Sequence, residues 1–183
     1  MTESVVTPTE TEPLVRRLIA ESDIRGVIAR FARGADRYDL DLIRSCYHPD
    51  ATDAHGHYNG DVEGFVAYTS QFVTKLAAMT HFLGQSIVEV DGDSAWAETY
   101  CLCLIRFVAD DGEMPKDQVA NIRYVDLFEC RDGDWRIAHR KVVHHPGRID
   151  PVAIDATFAD QAFLARMSTD DPSYDRQIES FLP

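Results

Sequence analysis

The chain has 183 residues and a mass of 20.6 kDa, enough for one ordinary domain and too short for two comfortable ones. Its 18 basic against 31 acidic residues leave a net charge of −13, which argues against nucleic acid or an anionic membrane as partner, since both reward clustered Lys and Arg. A hydrophobic fraction of 45% with nine Phe, seven Tyr and two Trp supports a real core, and no apolar run approaches the roughly 18 to 20 residues of a membrane span.

Residues 1–13 are acidic and polar and read as a flexible tail. They lack the basic and apolar regions of a signal peptide, so a soluble cytoplasmic protein is expected. Between 14 and 35 the apolar residues Ile24, Val27, Ile28, Phe31, Ala32 and Ala35 form one stripe of an amphipathic helix. A short second helix is expected from about Leu40 to Tyr47 with Asp39 as its cap, ended by Pro49. A polar stretch, Asp50 to Gly60, holds a possible short strand and turn. A third helix over about 61–77 places Phe65, Tyr68, Phe72 and Leu76 on one side.

From Thr80 the period changes to that of strands. Runs at 80–90 and 94–109 are separated by Asp91-Gly92-Asp93, a hairpin signal. Runs at 118–130 and 135–145 are separated by Arg131-Asp132-Gly133-Asp134, another. The connection from Ala109 to Lys116 reads as a polar loop. Helices first and a long antiparallel sheet after is an α+β pattern, a curved sheet wrapped over a helix layer. Residues 14–146 form the domain, and 147–183, with scattered aromatics such as Phe158, Phe163, Tyr174 and Phe181, form a segment lying on it or on a neighbouring subunit. The tail and the final segment carry −3 and −4, so more than half the net charge sits on the ends.

Two residues stand out chemically. Asp36 continues the buried stripe at the end of the first helix, where the macrodipole and desolvation both disfavour a carboxylate. It is either a cap for the next helix, a job Asp39 already suits, or the partner of a donor. His81, at the start of the first long strand, is the candidate for that donor; its other reading is a satisfied core or surface histidine. Held through one ring nitrogen by Asp36, its other nitrogen would be free as a base near neutral pH.

Other constellations carry less. Cys101 and Cys103 would share one strand face, poor geometry for bridging each other, and the four cysteines read as reduced thiols. Neither has the helix N-terminus or adjacent base that a nucleophile needs. His55, His57, His144 and His145 lack a matching Cys or acidic pair at zinc-ligand spacing, so no metal is expected. The glycines form no phosphate-binding loop.

Several segments together resemble the SnoaL-like branch of the NTF2-like superfamily. They are Gly34-Ala35-Asp36-Arg37, Cys46-Tyr47-His48-Pro49-Asp50-Ala51, His55-Gly56-His57-Tyr58-Asn59-Gly60, Thr80-His81-Phe82-Leu83-Gly84 and Arg131-Asp132-Gly133-Asp134-Trp135-Arg136-Ile137. Within it the likeness is to the group holding scytalone dehydratase and the dehydrochlorinase LinA, over about residues 14–146. The resemblance implies a cone-shaped, cystatin-like α+β barrel in which N-terminal helices close a curved antiparallel sheet around one pocket. It matches Asp36 and His81 to a catalytic pair in which His is the base and Asp holds its tautomer, without cofactor or metal. The implied activity is that of a lyase of dehydratase or dehydrochlorinase type, or an isomerase of polyketide-cyclase type, acting on a small apolar cyclic molecule.

By the same matching and strand parity, Thr99, Cys101, Cys103 and Ile105 face the pocket, as do Ile122 and Tyr124, and Arg140 and His144. Arg140 would steady a leaving anion or form a rim salt bridge; Tyr124 would pack or donate a hydrogen bond. Phe31 and Tyr47 are expected to touch substrate, and His55 matches a pocket tyrosine of the dehydratase. The dehydratase's second pocket His falls at Ile105, and the Tyr preceding its Asp falls at Ala35, so its water-activating apparatus is incomplete here. Self-association as a dimer or trimer is expected. The other readings are a non-catalytic small-molecule binder and an oligomeric interaction module.

Overall fold

The first helix is longer than its buried stripe. In the computed structural model, which describes residues 8–109, 113–152 and 164–176, α1 runs Pro8–Asp36, so residues 8–13, read above as tail, are helical. Ion pairs Arg16–Glu12, Arg17–Glu21 and Arg25–Glu21 at i,i+4 spacing support this solvated half. Leu14, Val15, Leu18 and Ile19 there are exposed, whereas Ile24, Val27, Ile28 and Phe31 are 0–1% exposed. The predicted stripe is the part that packs.

Helix α1 ends where Tyr38 takes a left-handed backbone (φ 51°), and Asp39 caps α2 (Leu40–Ser45) by accepting from the Leu42 amide at 3.0 Å. The cap expected at Asp39 is in place, and Asp36 is released from that role. Gly34 permits the crossing: a Cβ there would lie 3.0 Å from Ile43 Cγ1 and 3.2 Å from the Asp39 carbonyl oxygen.

Next come β1 (Tyr47–His55), β2 (Tyr58–Asp61) and α3 (Val62–Phe72), capped by Asp61. A single 3₁₀ turn, Val73–Lys75, leads into β3 (Leu76–Asp91). The helix therefore stops five residues before the predicted end, and the strand begins earlier than Thr80. Strands β4 (Ser94–Phe107), β5 (Lys116–Arg131) and β6 (Asp134–His144) follow, then the short β7 (Arg148–Pro151). Both predicted hairpins form. In the second, Asp132 (φ 55°) and Gly133 (φ 83°) sit between the paired Arg131 and Asp134, the two positive φ angles of a type I′ turn.

The sheet order is β2-β1-β6-β5-β4-β3, with β7 on β5. It is antiparallel except that β1 runs parallel to β6, a pairing not expected from the sequence. The sheet is curved and remains open, not closed into a full barrel. Register shifts at Leu76/Ala78, Leu83/Ser86 and Leu127/Phe128 are the irregularities that bend long strands. The concave face meets α1 through an aromatic cluster in which Phe31 packs edge-on to Tyr47 and Tyr124, with ring centroids 5.9 and 5.7 Å away.

Candidate active site

Asp36 is the last residue of α1, and its carboxylate turns to β3. It accepts the His81 backbone N–H at 2.9 and 3.1 Å on its two oxygens, and His81 Nδ1 lies 2.6 Å from Oδ1. Two donors offset the unfavourable helix end. Because the carboxylate acts as acceptor, Nδ1 carries the hydrogen and Nε2 is left without one in the neutral ring. The side chains are 7% (His81) and 15% (Asp36) exposed.

Cys103 Sγ lies 3.5 Å from Nε2 of His81. Burial pushes the Cys103 thiol far up, so it stays protonated and offers at most a weak S–H donor. Cys101 behaves alike; burial pushes its thiol up to about 11. Neither is a nucleophile near neutral pH.

His81 opens on a cavity of ≈ 250 Å³ with an apolar wall. The predicted face of α3 supplies Phe65, Tyr68 and Phe72, and β3 supplies Leu76 and Met79. Of the residues expected at the pocket, Phe31, His55, His81 and Ile105 line it. Asp36 stands behind His81, and Cys103 touches His81.

Thr99 and Ile122, 0% and 4% exposed and also expected to face the pocket, lie deeper, in the core, and four further expected lining residues lie there too. Tyr47, Cys101, Tyr124 and Arg140 are 0–2% exposed and absent from the cavity wall. Arg140 neither steadies a pocket anion nor sits at a rim. Its Nε and Nη2 each donate to Asp126 at 2.7 Å, and its guanidinium stacks 4.2 Å from both the Phe31 and Tyr124 ring centroids. Burial alone would lower the Arg140 pKa, but the Asp126 carboxylate holds it well above its ordinary value. Only Nη1 has no hydrogen-bond partner among the described residues. Parity put Arg140 on the right face, yet its facing neighbour across β5, Asp126, claims the fork.

His144 shares that parity but is exposed, at the strand end, where its ring abuts the Gly56 turn. Burial and the neighbouring His55 and His57 hold its pKa below the ordinary value. Among the described residues no group of three or more His, Cys, Asp or Glu is placed to hold a metal ion.

Tyr38, Gln118 and Met167 line the cavity without having been singled out. Gln118 had a signal, since it faces Ile105 across the β4–β5 ladder. Met167 belongs to the C-terminal segment, which docks on the end of α1. Arg33 donates to the Ser173 hydroxyl and carbonyl at 3.2 and 3.1 Å, Arg37 to Asp171 and Ser173 at 3.2 and 2.8 Å, and Tyr174 to Asp39 at 2.6 Å. Burial would raise the Asp171 pKa, but the Ser173 hydroxyl, the Arg166 and Ser173 amides and Arg37 hold it far below the usual range. Of this segment, residues 171–174 pack on the end of α1 and Met167 lines the cavity; Phe158, Phe163 and Phe181 lie outside the described residues.

A curved open sheet, helices across its concave face and an apolar cavity holding an Asp-bound imidazole define an α+β cone of the NTF2-like, cystatin-like class. The chain belongs to the family of SnoaL-like domains, whose sequence profile matches residues 16–141. No curated protein matches it in sequence.

Solved structures are similar. The Kfla4162 protein from Kribbella flavida aligns with TM-score 0.66 and 16% identity, over 72% of this chain and 95% of that one. Hexachlorocyclohexane dehydrochlorinase LinA-type3 from Novosphingobium barchaimii aligns with TM-score 0.65 and 20% identity, over 76% and 94%. A candidate scytalone dehydratase from Novosphingobium aromaticivorans aligns with TM-score 0.64 and 12% identity, over 76% and 92%. At such identities the likeness establishes the fold. No helix among the described residues is long and apolar enough to cross a membrane.

Proposed function

We propose that the protein is a cofactor-independent lyase or isomerase of small, mostly apolar cyclic molecules, with His81 as general base and Asp36 orienting it. The observation that carries this reading is the 2.6 Å contact between Asp36 and His81 Nδ1, with the ring on the wall of an apolar cavity. Nε2 takes a proton from a carbon next to a carbonyl, and Asp36 stabilises the resulting imidazolium. The enolate then either expels a substituent at the β-carbon or is reprotonated elsewhere, giving elimination or isomerisation. A positioned base of this kind contributes about 10²–10⁴-fold, and the dry wall strengthens every charge interaction at the reacting atoms. The dehydrochlorinase and dehydratase names among the similar structures support the same chemistry.

The probe is 3-hydroxycyclohexanone in deuterium oxide, read by proton NMR for deuterium at C2 and by absorbance for cyclohexenone. The protein is expected to accelerate both over buffer. No acceleration of either, with 2-tetralone also left unexchanged, would overturn the reading.

The outer sheet face carries an apolar patch in which Phe82 faces Leu102 across β3–β4, beside Tyr100 and Leu104. These residues are 39–69% exposed, and a contiguous apolar patch of this sort marks an interaction site. A second copy, in a dimer or trimer, is the proposed cover. Sedimentation at low micromolar concentration is expected to show a multiple of 20.6 kDa; a clean monomer refutes it.

A further inference from the structure

A second imidazole–carboxylate pair borders the cavity, and proton abstraction by His81 leaves it unused. Strand β1 carries Asp53 and His55 two residues apart, and β1 and β3 are separated by β6, β5 and β4 in the sheet order. Curvature nevertheless brings His55 and His81 to the walls of one cavity.

Asp53 is 0% exposed. Its Oδ2 accepts the Tyr47 hydroxyl at 2.5 Å, and its Oδ1 lies 3.2 Å from His55 Nδ1. Burial holds the Tyr47 phenol well above its ordinary pKa, so Tyr47 is the donor and Asp53 the acceptor. An accepting carboxylate fixes the Nδ1 hydrogen of His55 and leaves its Nε2 for another partner. The ring plane is set by stacking on Phe65, with centroids 4.8 Å apart and planes at 27°. The side chain keeps 22% of its surface open. Two carboxylates, Asp53 and Asp126, are paired in register with Arg140 from either side, and Arg140 directs its fork to Asp126. Asp53 therefore faces the His55 ring instead of a guanidinium, and an imidazole seated on a carboxylate can carry a second proton, on Nε2.

We propose that His55, positioned by Asp53, is a second catalytic residue, the acid that protonates a departing oxygen while His81 removes the proton from carbon. The proposal rests on the reading of His81 above and narrows its substrate class to β-hydroxy or β-alkoxy carbonyl compounds, because an oxygen leaving group needs a proton and a halide does not. In the step, the C–H electron pair becomes the new C=C bond and the C–H proton goes to His81 Nε2. The C–O pair leaves with the oxygen, which takes the Nε2 proton of His55. Water is the by-product when the group is hydroxyl. The two rings end with their protons exchanged, and transfer through solvent restores them.

His55→Gln is the test, on a side chain at the cavity wall. With 3-hydroxycyclohexanone it is expected to lower cyclohexenone formation about 10²–10⁴-fold while C2 deuteration changes less than about tenfold. With 3-(4-nitrophenoxy)cyclohexanone, whose leaving group departs unprotonated, release of nitrophenolate should stay within about tenfold of wild type. Equal losses on both probes, or none on either, overturn the proposal. Should the wild-type protein leave both probes untouched, the His81 reading fails first, and His55 is then judged by nitrogen-15 NMR with 2-naphthol bound. Shifts at Nε2 of both His55 and His81 support a two-ring site, and a shift at His81 alone, or at neither, rejects it. At a pH where the His55 ring is neutral, Asp53→Asn should move its hydrogen from Nδ1 to Nε2 in the same spectrum; an unchanged tautomer removes Asp53 from the proposal.

Discussion

Replacing His81 by Gln is expected to lower both C2 deuteration and enone formation from 3-hydroxycyclohexanone about 10²–10⁴-fold. The amide of Gln fills much of the imidazole's space and still hydrogen-bonds Asp36, but it has no basic nitrogen. The His81 backbone N–H continues to bind Asp36, so the end of α1 stays anchored and the melting temperature should move little. Asp36→Asn should give a comparable loss by a different route. Its carbonyl oxygen can keep the backbone N–H, while its NH₂ now points a donor at Nδ1. That moves the ring hydrogen to Nε2, where the base is needed. Steady-state rates of the two variants, taken alongside their melting curves, separate these effects from unfolding. A His81→Gln variant within about threefold of wild type would leave the cavity as a binding site without this chemistry.

Much of the fold was legible because its signals are local. The stripe from Ile24 to Ala32 is buried as its period requires, with Ala35 half-buried at the cavity, Asp39 caps α2, and turns at Gly92 and Gly133 close the two hairpins. Thr99, Cys101 and Cys103 lie on the inward face of β4 as parity demands. Features set by partners far along the chain were not legible. The parallel pairing of β1 with β6 joins Asp53 to Arg140, and no local pattern announces it. The boundary between α3 and β3 was obscured because Leu76 continues the helical stripe yet already serves as the first strand residue.

The site shows the same division. Asp36 and His81 each had a local oddity, an acid on a buried stripe and a base opening a strand, and the structure joins them. Arg140 and His144 were assigned by the family likeness and strand parity, which fix a face but not a depth. Asp126 takes the first, and the strand end carries the second away from the cavity. The Asp53–His55 spacing places both residues on one side of a strand, a signal present in the sequence, but no local pattern shows that Asp53 is buried and that His55 reaches the cavity wall.

Asp126→Ala is expected to be the most damaging change to stability, at about 3–5 kcal/mol and on the order of 10 °C in melting temperature for a chain of this length. It strips the hydrogen-bonded carboxylate from a guanidinium that is 0% exposed. The cost is that of an orphaned buried charge, not of a surface ion pair. Exchanging both members for apolar residues of similar volume, Asp126→Leu with Arg140→Met, should recover most of that loss, since such replacements are often neutral or stabilising. The double variant also separates two roles for Arg140. As the support beneath Phe31, whose ring forms part of the cavity wall, Arg140 can be replaced by a side chain that packs, and turnover should survive with stability. As an anion-binding group it could not, and turnover would vanish from a protein that still melts normally. Its fork on Asp126, its stacking between two aromatic rings and its absence from the cavity wall all favour the first outcome. Elimination rate and melting temperature, measured together on the single and double variants, decide between them.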